Sequence, residues 1–292
     1  MHDLNSYQTH YLELFMIRKP VVAGSFYPSN SDELNQMIQN CFTHKFGPNN
    51  NPPKKGTEQI FGIICPHAGY MYSGPIASHS YYEISSHEFD LAVIIGPNHW
   101  VIGSKIATMS DAKWQTPLGI SEVDGESSND LVNIADNIEQ DYFSHSKDHS
   151  LEVQIPFLQE IFPNNLKILP IIMANQDIDA AKEVGNAISH IAKSKKTMII
   201  GSSDFTHYEE NNFAHKQDMS LIEPILKLDV NGFYETLVER KISACGYGAI
   251  AATMIACKNL GSKKGELLAY ATSGDIVGNK ESVVGYGSIK FI

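Results

Sequence analysis

Positive charge is in short supply in this chain. Lysine and arginine number 22 against 33 aspartates and glutamates, which leaves a formal net charge of −11 over 292 residues. Without a basic stripe there is no footprint for nucleic acid, and an anionic membrane surface offers little attraction. Long apolar runs are missing too. Stretches such as 91–95 and 168–173 fall far short of the ~20 residues that a membrane-spanning helix needs. Cysteine is sparse: Cys41, Cys65, Cys245 and Cys257 are widely spaced and form no CxxC pair. That excludes a zinc ribbon, a thioredoxin-like motif and a disulfide scaffold, and it fits free thiols in a reducing cytoplasm. The first residues lack the shape of a signal peptide, because polar and acidic residues interrupt every apolar stretch before Pro20. Residues 1–17 are expected to be a poorly ordered extension and 18–292 a single domain. There is no Walker A loop, no GxGxxG after a strand, no GxSxG elbow and no HExxH, so nucleotide, serine-triad and zincin chemistries have no motif to stand on.

What is present is an alternation of strands and helices. Runs rich in β-branched and aliphatic residues at 60–65, 91–96, 105–109, 167–173 and 197–201 read as buried strands, with a strand pair at 267–272 and 283–291 closing the chain. Helical patterns lie near 31–42, 75–84, 127–140, 150–162, 178–194, 213–227, 230–239 and 248–260. This order predicts an α/β fold, a mostly parallel or mixed central sheet with helices on both faces.

Three of the strands run into histidine-bearing loops. The first leads to Pro66-His67-Ala68-Gly69-Tyr70, the second to Gly96-Pro97-Asn98-His99, and the fifth to Ser202-Ser203-Asp204-Phe205-Thr206-His207. In an open α/β sheet the carboxyl ends of parallel strands share one rim, where ligands bind. His67, His99 and His207 are therefore expected to converge. Imidazole suits zinc, copper and iron alike, so the histidines alone do not choose a metal. Asp204 has several roles open to it: a ligand, a general base, the acceptor that fixes a histidine tautomer, or a helix cap. Cys245 precedes a helical pattern, where the macrodipole favours a thiolate nucleophile or soft-metal ligand; a small buried residue in a Gly-rich turn is the alternative. Asp148, His149 and Glu152 form a polar cluster that reads either as supporting or substrate contacts or as a solvated helix start. Cys41 and Cys257 fit apolar helix faces.

Taken in order, Pro20-Val-Val-Ala-Gly-Ser-Phe-Tyr-Pro28, Pro66-His-Ala-Gly-Tyr-Met-Tyr-Ser-Gly74, Gly96-Pro-Asn-His99, Asp148-His-Ser-Leu-Glu-Val-Gln154, Ser202-Ser-Asp-Phe-Thr-His-Tyr208 and Cys245-Gly246 resemble the Memo family. Its prokaryotic members are often called AmmeMemoRadiSam system protein B. The resemblance implies a fold similar to the LigB-type class III extradiol dioxygenases. His67, His99 and Cys245 would stand where those enzymes hold two histidines and a glutamate, with Asp204 and His207 nearby as catalytic groups and Tyr70, Asp148, His149 and Glu152 in support. It also implies copper or iron binding, redox roles, and partners among AMMECR1-like and radical SAM proteins. The chain departs from the human pattern at Phe26, where a tryptophan is expected, and at Gly246-Tyr247-Gly248, where Arg-His-Pro is expected. Both departures weaken the case for transferring the phosphotyrosine-peptide recognition of the human relative.

Three functions compete. The first is a metal-binding redox or metal-handling protein built on a His/His/Cys pocket. The second is a non-haem iron oxygenase, which a cysteine in place of the carboxylate disfavours. The third is a non-catalytic module that binds a peptide or small molecule in the same cleft.

Overall fold

Four buried parallel strands form the spine of the computed structural model, which describes residues 17–56, 58–163 and 166–292. They are β2 (Gly62–Cys65), β3 (Leu91–Pro97), β8 (Lys167–Met173) and β9 (Thr197–Ser202), and they lie side by side in the order β2-β9-β3-β8. Their side chains alternate between two cores. Ile64, Val93, Ile95, Leu169, Ile171 and Ile199 point to one face, and Ile63, Ala92, Ile94, Ile168, Ile172 and Ile200 to the other. A period of two with apolar residues on both faces produces the unbroken hydrophobic runs seen in the sequence. Burying each such Val, Leu or Ile contributes roughly 1.5–3 kcal/mol.

Both faces are covered by helices. Helices Ile178–Ile191, Asn211–Leu226 and Tyr247–Leu260 pack on one side, and Ser31–Thr43, Tyr70–Ile84 and Ile155–Ile161 on the other. The sheet is mixed at its margins. β12 (Val283–Phe291) joins β2 antiparallel and pairs with β11 (Gly265–Thr272) and β10 (His207–Glu209). On the other edge β4 (Ile106–Thr108) joins β8 antiparallel and pairs with β7 (Glu139–Gln140). No helix among the described residues is long and apolar enough to cross a membrane.

The expected strands and helices are present, with local differences. A small separate sheet of β1 (Ile17–Arg18), β5 (Lys113–Thr116) and β6 (Gly119–Glu122) appears where Pro117 and Gly119 obscure any strand pattern; Pro117 and Leu118 make the turn, and Gly119 opens β6 at φ 136°. The helix expected to 140 ends at Ile134, and residues 139–140 pair with β4 instead. The helix expected at 150–162 begins as a 3-10 turn, Glu152–Gln154, before Pro156 starts the regular helix near its first position. The helix expected from Pro75 starts at Tyr70, so Pro75 lies inside it; the carbonyl its missing N–H would have bonded belongs to the exposed Met71. Of the expected N-terminal extension, residues 1–16 lie outside the described residues, and Ile17 is paired with Lys113 in β1.

Candidate functional site

One offset recurs at the carboxyl rim of the parallel strands. His67 lies two residues beyond the end of β2, His99 two beyond β3, and Asp204 two beyond β9. Because β9 sits between β2 and β3, the three loops are neighbours. Cys65 is in register with Ser202, which carries His67 alongside Asp204, and the His67 amide donates to Asp204 Oδ1 at 2.7 Å. Helix capping is not the role of Asp204, since the chain runs on into β10 rather than a helix.

The other side of the rim comes from residues 148–154, which lead into the helix before β8. This segment brings in His149, whose ring joins those of His67 and His99. One nitrogen from each of the three lies within 4.8 Å of the others. His99 and His149 stack at 4.6 Å, and His67 stands edge-on to both. The trio opens on a cleft of about 600 Å³ lined also by Phe26, Tyr72, Asp204, His207, Tyr208 and Cys245.

The hydrogen bonds assign the tautomers. Ser202 Oγ donates its single proton to Ser150 O at 2.6 Å and accepts from Gln154 Nε2 at 2.8 Å, so toward His67 Nδ1, at 2.9 Å, it can only accept. His67 therefore carries its proton on Nδ1 and leaves Nε2 unprotonated, its lone pair facing Cys245 Sγ at 3.0 Å. His99 Nδ1 faces Asp148 Oδ2 at 3.0 Å, which fixes the same tautomer there. His207 Nδ1 faces two carbonyls, Phe205 O at 2.7 Å and Ser243 O at 2.9 Å, with the same consequence. Anchoring one ring nitrogen to an acceptor is how proteins orient an imidazole ligand.

Charge follows burial. Loss of solvent holds His67 well below the usual histidine range, and the neighbouring His99 and His149 add to the shift. Burial, with His99 beside it, lowers His149 to about 4. Burial alone would raise Asp148, but hydrogen bonds from His99 and Ser150 outweigh it and keep the carboxyl ionised. Asp204 is the opposite case: burial raises it despite the bond from the His67 amide.

Cys245 meets His67 at its unanchored nitrogen, its Sγ 3.0 Å from His67 Nε2 and 3.3 Å from the Asp204 amide that donates to it. It falls outside the three-imidazole set. Its turn is clamped by Gln176, which donates to Cys245 O at 2.9 Å and accepts from the Gly248 amide at 2.8 Å. The glycines around it are there for closeness: a Cβ at Gly246 would sit 2.4 Å from Ser202 O, and one at Gly248 would sit 2.8 Å from Gln176 Cβ. The helix N-terminus was expected to favour the thiolate. Loss of solvent and the Asp204 carboxylate instead push the thiol up.

The structure thus gathers His67 and His99 with His149, which the sequence placed only among the supporting residues. Asp204 and Cys245 lie beside His67, and His207 lines the same cleft. Asp148 and Glu152 are buried at 2% and 0% exposure, so they are not a solvated helix start. Glu152 accepts from Arg18, Tyr27 and the amides of Val21 and Val22, away from the histidines. Tyr70, expected in support, points into the core with its hydroxyl on Val153 O and does not line the cleft, whose tyrosines are Tyr72 and Tyr208. Ser202, Gln154 and Gln176 carry no chemistry of their own, and nothing in their residue types announced them. Cys41, Cys65 and Cys257 are buried free thiols.

The chain is similar to known proteins along most of its length. Over 277 residues the chain is 60% identical to a MEMO1 family protein of Nitrosopumilus maritimus, covering 95% of this chain and all of that one. It is 47% identical over 281 residues to a MEMO1 family protein of Methanocaldococcus jannaschii, covering 93% of this chain and 98% of that one. The crystal structure of an uncharacterized Escherichia coli K12 protein, JW3007, shares the fold at 12% identity and a TM-score of 0.51, over 78% of this chain and 99% of that one. The family model described as Memo-like protein matches residues 18–290, and the chain accordingly belongs to that family.

Proposed function

We propose that the cleft binds a transition-metal ion on the imidazoles of His67, His99 and His149, with Cys245 as a further donor beside His67 Nε2, and that the protein acts in redox chemistry or metal handling. The observation that carries this reading is the convergence of three ring nitrogens within 4.8 Å. Two features of the donor set support it. His67 and His149 are held neutral by burial, so neither must lose a proton to bind. His67 and His99 are each anchored through Nδ1, which leaves Nε2 as the ligand atom.

Imidazoles suit copper, iron and zinc, and a sulfur donor moves the preference toward copper(I) or zinc. A bound ion would supply Lewis acidity or, for copper and iron, one-electron exchange. The chain's own groups supply the rest. Asp204, raised by burial, can hold a proton at the cleft wall. His207, anchored through Nδ1, offers Nε2 to whatever enters. Partnership with AMMECR1-like and radical SAM proteins belongs to the same proposal and rests on family resemblance alone; co-purification of the recombinant proteins tests it.

The deciding experiment is anaerobic purification followed by elemental analysis of the wild type and of His67→Ala, His99→Ala, His149→Ala and Cys245→Ser. Metal lost from the three histidine variants supports the site, and metal retained in all of them removes it. A second reading, a non-haem iron oxygenase, draws on one observation: the Asp204 carboxylate stands on the same rim as His67. Oxygen uptake by iron-loaded protein given catechols would support it, and none would dismiss it.

A further inference from the structure

A charged side chain buried beneath the cleft takes no part in the chemistry above. Arg18 is 1% exposed, and its guanidinium lies 4.1 Å from the centroid of the Trp114 ring. Its fork meets three strong acceptors: Nε donates to His145 O at 2.8 Å, Nη1 to Glu152 Oε2 at 2.6 Å, and Nη2 to Asp148 O at 2.5 Å. All three belong to residues 145–152, the stretch that delivers Asp148 to His99 and His149 to the imidazole trio. A buried ion pair is weak evidence for stability, because desolvating two charges costs about what their attraction returns. A planar fork that grips two backbone carbonyls does fix geometry.

We infer that Arg18 is a positioning residue for the histidine cleft, holding the 145–152 turn so that Asp148 meets His99 and His149 faces it. Residues 146–151 carry no strand and no regular helix, so the main chain supplies little framework there. Arg18 provides it from below. The same N-terminal stretch continues to Phe26, whose ring packs on His149 at 4.7 Å. The competing explanation is that Arg18 merely ties the N-terminal strand to Glu152. Tyr27, whose hydroxyl donates to Glu152 at 2.6 Å, makes that kind of tie without touching 145–148, and it serves as the control.

The inference rests on the proposed metal role for only one of its two readouts. Arg18→Lys keeps a cation opposite Glu152 but cannot serve three acceptors at once, and Arg18→Gln stands in if the lysine variant does not fold. Imidazole nitrogen NMR of the full metal-free chain should show His99 as a single Nδ1–H tautomer in the wild type and in Tyr27→Phe. In the Arg18 variant it should show a tautomer mixture, with His207 unchanged. Affinity for zinc, measured against a competing chelator, should fall about ten-fold in the Arg18 variant, as for loss of a ligand's supporting partner, and stay level in Tyr27→Phe. A folded Arg18 variant with an unaltered His99 signal and wild-type zinc affinity would overturn the inference, and so would equal losses in Tyr27→Phe. A wild type that binds no zinc would count against the metal reading, and the tautomer comparison would still decide the role of Arg18.

Discussion

The two walls of the cleft are built from similar loops and carry opposite charge chemistry. On the wall of His67, His99 and His149, burial and mutual proximity favour neutral rings at His67 and His149, and the Nδ1 anchors of His67 and His99 leave Nε2 unprotonated. On the wall of Asp204 and Cys245, burial favours the protonated acid and thiol. The same loss of solvent thus prepares one wall to donate electron pairs at once and leaves the other holding protons. Burial always disfavours charge, so its effect on a site depends on whether the neutral form is the base or the acid.

The contrast can be broken most directly at the metal. His149→Ala should lower zinc affinity by more than about 100-fold, beyond the loss of a supporting partner, while Cys245→Ser should change it by no more than about ten-fold. Competition against a chelator measures both, and the reverse order would move the ion to the sulfur wall. Next in size is Asp148→Asn, which replaces an ionised acceptor under His99; a fall of about 10–100-fold in zinc affinity is expected with the fold retained by circular dichroism.

Acid titration of the metal-free protein sharpens the comparison further. The folded-state pKa of His149 lies near 4 and that of His145 near 3, both below the ordinary value of 6.5. Between 4 and 6.5 the unfolded chain binds protons that the folded one does not, so stability should rise with pH by about 1.4 kcal/mol per unit for each imidazole. Asp204 has the other sign. Its folded-state pKa is raised above 3.8, so its contribution is fully present below that pH and is lost as pH climbs through the raised value. Urea unfolding across this range should show a shallower slope in His149→Ala and a steeper one in Asp204→Asn; matching slopes would erase the distinction between the walls. The smallest effect should come from Gln176→Ala, which frees the Cys245 turn. Alkylation of Cys245 by iodoacetamide should change its rate a few-fold while zinc affinity holds.

Much of the scaffold could be read from residue types, because strands such as 91–97 and 167–173 announce themselves by unbroken apolar runs. The strand-end histidines were visible for the same reason: each follows a run of recognisable length. His149 was harder to weigh. It follows no strand, and only the folding of 148–154 back onto the rim brings it to His99. Arg18 gave no local signal, since its value lies in carbonyls 127 and 130 residues away. The 113–122 hairpin hid behind Pro117 and Gly119. A helix cap stood beside the functional roles for Asp204 because Ser-Asp pairs suit a helix start, and only the course of the chain into β10 rules that out.

The placement of His67, Asp204 and His99 past the ends of three adjacent strands fixes a ruler for one side of the site. Neighbouring strands are about 4.8 Å apart, and His67, Asp204 and His99 each sit two residues past the ends of three adjacent ones. Substitution in the loops can exchange an imidazole for a sulfur or a carboxylate, but the spacing between positions belongs to the backbone ladder. Any descendant of this chain that keeps β2, β9 and β3 side by side inherits a binding site of the same width, and its chemistry is free to vary only in the choice of atoms.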